Sequence, residues 1–128
     1  MGAYTQAKLP KDCPPTWITI PKEYCPSHWH GKYTNPVVRL QVNLYGHPLA
    51  GLYWEQHCKQ ALMSLGWEPV KGWECMFKHE KFQLFLSVYV DDFKMAGRKA
   101  SLKPMWEKIG KVLDIEPPTR LEDSTYLG

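Results

Sequence analysis

The chain has 128 residues, 44% of them hydrophobic and 13% aromatic, with a formal charge of +3 at pH 7. That length supports one domain with a single core and is too short for a multi-domain enzyme, while the apolar content excludes general disorder. The mild basicity permits a nucleic-acid partner without arguing for one.

From Leu9 to Pro36 prolines are dense and Cys, His and Trp are interspersed without a sustained period. Residues 1–36 are therefore expected to form an irregular arm with at most short strands, such as Thr16–Ile20, ahead of a core over 37–128 of the same single domain. Val37 to Tyr45 alternates apolar and polar residues as a strand does, although an opening helical turn also fits; Gly46-His47-Pro48 then breaks the chain. Trp54, Cys58, Ala61, Leu62 and Leu65 share one face of a helix expected over about Ala50 to Leu65, with Gly66 as its C-terminal cap. Cys75–Lys78 and Gln83–Val90 read as strands joined around His79-Glu80-Lys81, and Phe93–Ala96 extends them into a small antiparallel sheet. Ser101 is expected to cap a second helix with an apolar stripe of Leu102, Met105, Trp106, Ile109, Val112 and Leu113, ended by Asp114 to Pro118. Residues 121–128 are expected to return as a last strand. Two amphipathic helices on one face of a small antiparallel sheet make the expected class α+β.

The pair Asp91-Asp92 follows the apolar run Leu84 to Tyr89, which places it at a hairpin turn. Neighbouring carboxylates repel one another and are at ease only in water, beside cations, or sharing a divalent ion. Magnesium takes one or two carboxylates together with substrate phosphates, so Asp91 and Asp92 are candidate metal ligands. The same pair also suits a solvated hairpin tip.

These blocks, in this order, resemble the reverse transcriptase of copia-type retrotransposons over nearly the whole chain. The matching segments are Ala3 to Leu9, Val37 to Leu40, Leu44-Tyr45-Gly46 with Trp54-Glu55, Leu65-Gly66-Trp67, Tyr89 to Gly97 and Tyr126-Leu127-Gly128. The resemblance implies a polymerase palm that works with two Mg2+ (or Mn2+) ions on an RNA or DNA template-primer and a dNTP. It implies that Asp91 and Asp92 are catalytic and hold metal. Tyr4 would stand against the ribose 2′-hydroxyl, Gly46 would let backbone approach the nucleotide, and Tyr89 would belong to the same substrate-binding motif. The family's first-motif aspartate falls a few residues ahead of the alanine matched by Ala3, before Met1. The segment alone is thus expected to be truncated at both ends, to bind magnesium weakly and to turn over poorly.

A rival reading is a catalytically inactive palm relic serving as an interaction module in a larger complex. Six tryptophans are present, and Trp17, Trp29, Trp67 and Trp73 lie outside the helical stripes, leaving aromatic surface for a protein partner to bury. Trp54 and Trp106 read as core. Lys103, Lys108 and Lys111 could meet phosphate, or simply be solvated. Cys13, Cys25, His28 and His30 form a possible but poorly spaced zinc set. All four cysteines, with Cys58 and Cys75, otherwise read as small buried hydrophobes with reduced thiols. Without a secretory or membrane-spanning stretch the expected location is intracellular, cytoplasm or nucleus. Gln6 stands where a myristoylation pattern needs Ser or Thr.

Overall fold

The computed structural model describes residues 2–120 and residue 122; the strand expected over 121–128 falls outside the described residues. In chain order the elements are α1 (Ala3–Gln6), β1 (Trp17–Thr19), β2 (Val37–Arg39), α2 (Ala50–Ser64), β3 (Glu68–Pro69), β4 (Met76–His79), β5 (Leu84–Tyr89), β6 (Asp92–Gly97) and α3 (Lys99–Ile109). The fold is α+β, with two small antiparallel sheets, β1-β2 and β3-β4-β5-β6.

The larger sheet is a meander whose register follows from its side-chain period. Along β5, Leu84, Leu86 and Val88 are buried while Phe85 and Tyr89 are exposed, so one face meets the core and the other meets water. Phe77 pairs with Leu86 and His79 with Leu84, which puts them on the inner face too. Against that face pack Trp54, Cys58 and Leu62 of α2 and Met105 and Ile109 of α3. Each such side chain contributes about 1.5–3 kcal/mol relative to an exposed one. His79, expected at a turn, is instead the buried end of β4. Its Nε2 lies 3.0 Å from the Leu65 carbonyl, and its ring sits 5.4 Å from Trp67 and 4.8 Å from Phe82.

Helix α2 ends as its sequence requires. Gly66 has φ +90°, its N–H bonds to Met63 O at 3.0 Å, and the Trp67 N–H reaches Leu62 O at 3.2 Å. This is a Schellman motif, and it folds Trp67 beneath the helix, where it is 1% exposed. The expectation that Trp67 offers open aromatic surface is therefore corrected. Helix α3 begins two residues before the expected cap, with Arg98 in the N-cap position. The Ser101 N–H already bonds to the Arg98 carbonyl at 2.9 Å, so Ser101 is inside the first turn rather than before it. Pro104 also falls within α3; it removes one ladder bond, and the buried stripe carries the helix instead. Met105 and Ile109 form that stripe; the helix ends at Ile109, short of the expected stop at Asp114, and buried Leu113 and exposed Val112 follow in the turn after it.

The proline-rich segment is more ordered than its composition suggests. It opens with the α1 turn, and Trp17, Ile18 and Thr19 pair with Arg39, Val38 and Val37, tying it to the start of the expected core. The strand expected through Tyr45 stops at Arg39, after which only an isolated bridge, Lys8 with Val42, continues it. Asn43 is fully buried and its Nδ2 donates to Ala50 O at 2.7 Å. That bond turns the backbone toward α2 where a strand would have run straight. Of the cysteines only Cys58 is buried; Cys13 and Cys25 are half-buried and Cys75 is exposed, and all four are free thiols. The exposed Cys75 precedes β4 in a turn, outside the alternation that fills the core.

Candidate functional site

The site forms at the turn between β5 and β6. Tyr89 pairs with Asp92 across it, leaving Val90 and Asp91 as a two-residue loop. Val90 has φ +51°. A positive first angle is the sign pattern of a II′ turn, which suits the twist of a hairpin but is costly for a β-branched residue. Residues held in such sparsely populated regions cost about 1–3 kcal/mol and persist where surroundings over-determine them. Here the constraint is Trp54, whose buried indole donates from Nε1 to the Val90 carbonyl at 3.0 Å.

The strained turn projects Asp91 to the surface, where its two oxygens have different partners. Oδ1 accepts the Ala3 backbone N–H at 3.1 Å, and Oδ2 accepts the Tyr45 hydroxyl at 3.3 Å. Desolvation first, and then the Asp91 charge, push the Tyr45 phenol above its ordinary value. The Tyr45 ring lies 4.5 Å from that of Tyr4. A Cβ at Gly2 would come within 3.1 Å of the Tyr45 ring and hydroxyl, so glycine keeps this approach open. Asp92 is half-buried at the first position of β6.

Of the residues singled out in the sequence, Tyr4, Asp91 and Asp92 come together with the Tyr45-Gly46 turn. Tyr89 is 58% exposed on the outer face of β5, beside Asp92 in the register. Gly46 has φ +90° and would meet nothing within 4 Å if it carried a Cβ; backbone conformation, rather than crowding, calls for glycine there. Tyr45, Trp54 and the Ala3 N–H are partners of the turn that pattern reading did not assign to it. Tyr45 lies inside the quoted Leu44-Tyr45-Gly46 block and Trp54 heads the α2 stripe, whereas a backbone donor leaves no signal in the side-chain alphabet.

Among the described residues no three or more His, Cys, Asp or Glu side chains gather to hold a metal ion. Cys13, Cys25, His28 and His30 are accordingly not brought together. The Cys25 thiol donates to Ile20 O and Pro21 O, His30 Nε2 faces Lys22 O at 3.3 Å, and His28 lies edge-on to Trp29. Asp91 and Asp92 are two hard oxygen donors on one turn, a donor set that fits magnesium completed by substrate phosphates. They border an open groove of about 1150 Å³ that runs along β6, between the turn, Trp106 of α3 and the segment from Asp114 to Arg120.

The lysines expected on the outer side of α3 are exposed, and Lys108 Nζ sits 4.8 Å from the Phe82 ring centre. Among the described residues no helix is long and apolar enough to cross a membrane.

Comparison with known proteins finds similarity to Gag-Pol polyproteins of Ty1 transposons. The chain is 32% identical over 82 residues to the Transposon Ty1-DR4 Gag-Pol polyprotein of Saccharomyces cerevisiae, an alignment that takes in 62% of this chain and 5% of that protein. It is 34% identical over 70 residues to the Ty1-GR1 Gag-Pol polyprotein of the same yeast, covering 54% of the chain and 4% of the relative. The Truncated transposon Ty1-A Gag-Pol polyprotein is also 34% identical, over 64 residues and 49% of the chain. The chain thus spans about one-twentieth of the length of these relatives. These likenesses support an origin in a retrotransposon polyprotein. No protein-family model and no solved structure matches.

Proposed function

We propose that the chain is the palm segment of a copia-type reverse transcriptase, whose complete form performs RNA-directed DNA synthesis by two-metal nucleotidyl transfer. The observation that carries the reading is the meeting of three sequence-distant segments at Asp91: the Ala3-Tyr4 turn, the Tyr45-Gly46 turn and the β5-β6 hairpin. Each belongs to a block that resembles the family, and a solvated hairpin tip has no need of the other two.

In this reading Asp91 and Asp92 hold the divalent ion. Magnesium or manganese, when bound, supplies Lewis-acid stabilisation of charge on the transferring phosphoryl group. The chain's own contribution is placement. Trp54 fixes the Val90 carbonyl and so the direction of Asp91, while the Ala3 N–H and the Tyr45 hydroxyl, one on each oxygen, orient its carboxylate. Tyr4, half-buried on Tyr45, stands on the side where a ribose 2′-hydroxyl is excluded. Tyr89, outward beside Asp92, faces template-primer and dNTP, and Gly46 turns the backbone toward them.

The test is Mg2+- or Mn2+-dependent extension of a primed RNA template, with Mn2+ binding followed by electron paramagnetic resonance on the same protein. Extension and binding that both fall in the Asp91→Asn, Asp92→Asn double variant support the reading. A wild-type chain that binds Mn2+ no more tightly than the double variant overturns it, whether or not primer is extended.

A second reading, an inactive relic that docks into a larger complex, is favoured by Trp17 and Trp73, which are 58% and 68% exposed. It expects those indoles, rather than the Asp91 turn, to be protected when the chain sits in its complex.

A further inference from the structure

Leu40 and Gln41, just after β2, are held by main chain from both sides. The Leu40 N–H donates to Thr16 O at 2.8 Å, and the Leu9 N–H donates to Gln41 O at 3.3 Å. Between those two bonds the arm leaves the strand at Leu9, arches through a turn closed by the Cys13 N–H on Pro10 O at 3.2 Å, and returns at Thr16. Pro10, Pro14 and Pro15 stiffen the arch, because each fixes its own φ and restricts the residue before it. Arch and strand enclose a pocket of about 340 Å³, with Lys11, Cys13 and Thr16 on one wall and Arg39, Leu40 and Gln41 on the other. Its walls are tied together by bonds within the chain, so little ordering is left for a ligand to impose.

The lining is rich in donors. Lys11 and Arg39 bring two positive charges, and no Asp or Glu is among the lining residues; Asp12, in the same turn, lies outside them. A third donor follows from the tautomer of His47. The Leu49 N–H donates to His47 Nδ1 at 3.1 Å, so the ring proton sits on Nε2, which donates to Thr16 Oγ1 at 3.1 Å. With its oxygen accepting from His47, the half-buried Thr16 hydroxyl keeps its own proton to donate into the pocket it lines. An ammonium, a guanidinium fork and a hydroxyl on one small cavity are the groups that take phosphate oxygens.

We infer that this pocket binds a phosphate group, supplied by a polynucleotide backbone or by free phosphate or a nucleotide. Lys11 and Arg39 balance its charge, and Thr16 fixes its orientation. Only the polynucleotide source rests on the reverse-transcriptase reading. The pocket itself uses neither Asp91 nor Asp92 and is tested without divalent ions.

The experiment uses the full chain in EDTA at constant ionic strength. Amide signals of Thr16, Arg39 and Gln41 are followed by NMR as inorganic phosphate replaces chloride. Fluorescence anisotropy follows a fluorescein-labelled oligothymidylate and its uncharged methylphosphonate analogue. The expected result is saturable shifts with phosphate, binding of the phosphodiester and no binding of the methylphosphonate. In a Lys11→Gln, Arg39→Gln double variant the phosphate shifts should vanish. Oligothymidylate binding should weaken about tenfold, and the slope of log affinity against log salt should shrink by about 0.7, the share of one phosphate on a single strand. A Lys59→Gln, Lys71→Gln variant removes the same charge at exposed positions away from the pocket and should keep both signals; circular dichroism checks that each variant folds. Phosphate shifts that are absent in the wild type, or that persist in Lys11→Gln, Arg39→Gln, overturn the inference. Shifts lost in that variant while oligothymidylate fails to bind, or weakens equally in both variants, support the pocket and assign it free phosphate or a nucleotide. The Asp91→Asn, Asp92→Asn variant should bind phosphate as the wild type does, so the metal-ion reading and the phosphate pocket fail separately.

Discussion

Replacing Trp54 by phenylalanine isolates what holds the Val90-Asp91 turn in its strained shape. The indole Nε1 donates to the Val90 carbonyl at 3.0 Å from a side chain only 4% exposed. Losing that bond costs about 1 kcal/mol net, and the unfilled space left by the smaller ring adds about 1–2 kcal/mol. The sum, about 2–3 kcal/mol, corresponds to a fall in Tm of about 8–12 °C for a domain of this size. Urea titrations followed by circular dichroism measure it without relying on the missing fluorophore. A companion Leu62→Ala variant, also in α2 and fully buried, loses about 2–5 kcal/mol by cavity formation without touching the turn. Amide exchange at Asp91 and Asp92, compared between the two after correction for global stability, should accelerate only in Trp54→Phe. Equal acceleration in both variants, or an unchanged midpoint in Trp54→Phe, would refute the claim that the indole fixes Val90.

Four further outcomes follow from the same geometry. Gly97→Ala should abolish folding or cost at least about 3 kcal/mol, because φ is +141° and a Cβ would collide with the Gln83 carbonyl oxygen; soluble yield and circular dichroism report it. Gly66→Ala, at φ +90° and with its Cβ 3.0 Å from His79 Nε2, should lower stability by about 1–2 kcal/mol in a urea titration. Burial pushes the Cys58 thiol from 9.0 up to about 12. The unfolded chain therefore loses that proton first, and stability from this group, intact below pH 9, should decline by at most about 1.4 kcal/mol per pH unit above it. Urea titrations at pH 8 and 10 should show a shallower decline in Cys58→Ala, while iodoacetamide at pH 8 should label exposed Cys75 and leave Cys58 untouched until unfolding. Finally, Gln6 bonds through its side-chain amide to both the N–H and the C=O of Asp114, each at 2.8 Å. Gln6→Ala should loosen that clasp and speed tryptic cleavage after Lys111 and Arg120.

The meander and both long helices were legible because their side chains obey periods of two and of three to four, which burial of one face imposes. The Asp91-Asp92 turn was legible for the same reason, since the apolar alternation of β5 has to stop somewhere and the carboxylates mark the place. Long-range decisions were not legible. The strand from Val37 was expected to reach Tyr45, and only the buried Asn43-Ala50 bond shows why it stops early. Trp67 looked like spare aromatic surface until the Schellman turn at Gly66 folded it under α2. His79 looked polar enough for a loop, yet one ring nitrogen satisfied by the Leu65 carbonyl lets it join the core. At the site, the Ala3 N–H is a backbone group that every residue but proline shares, so its meeting with Asp91 is a product of topology alone.

That meeting has a kinetic side. The three strands β4, β5 and β6 close over short turns, while the Ala3-Asp91 contact joins residues 88 apart. Each doubling of a loop costs about 0.6 kcal/mol in closure entropy, so the long-range contact is reached late unless strong local structure has gathered first. The meander can nucleate by itself, with the α1 turn settling onto a hairpin tip already in place. In a growing polypeptide, where the amino-terminal segment emerges ahead of its partner, Ala3 and Tyr4 must wait for the sheet to be synthesised before Asp91 receives its donors. The order of synthesis and the order of assembly therefore run opposite to each other at the Ala3-Asp91 contact.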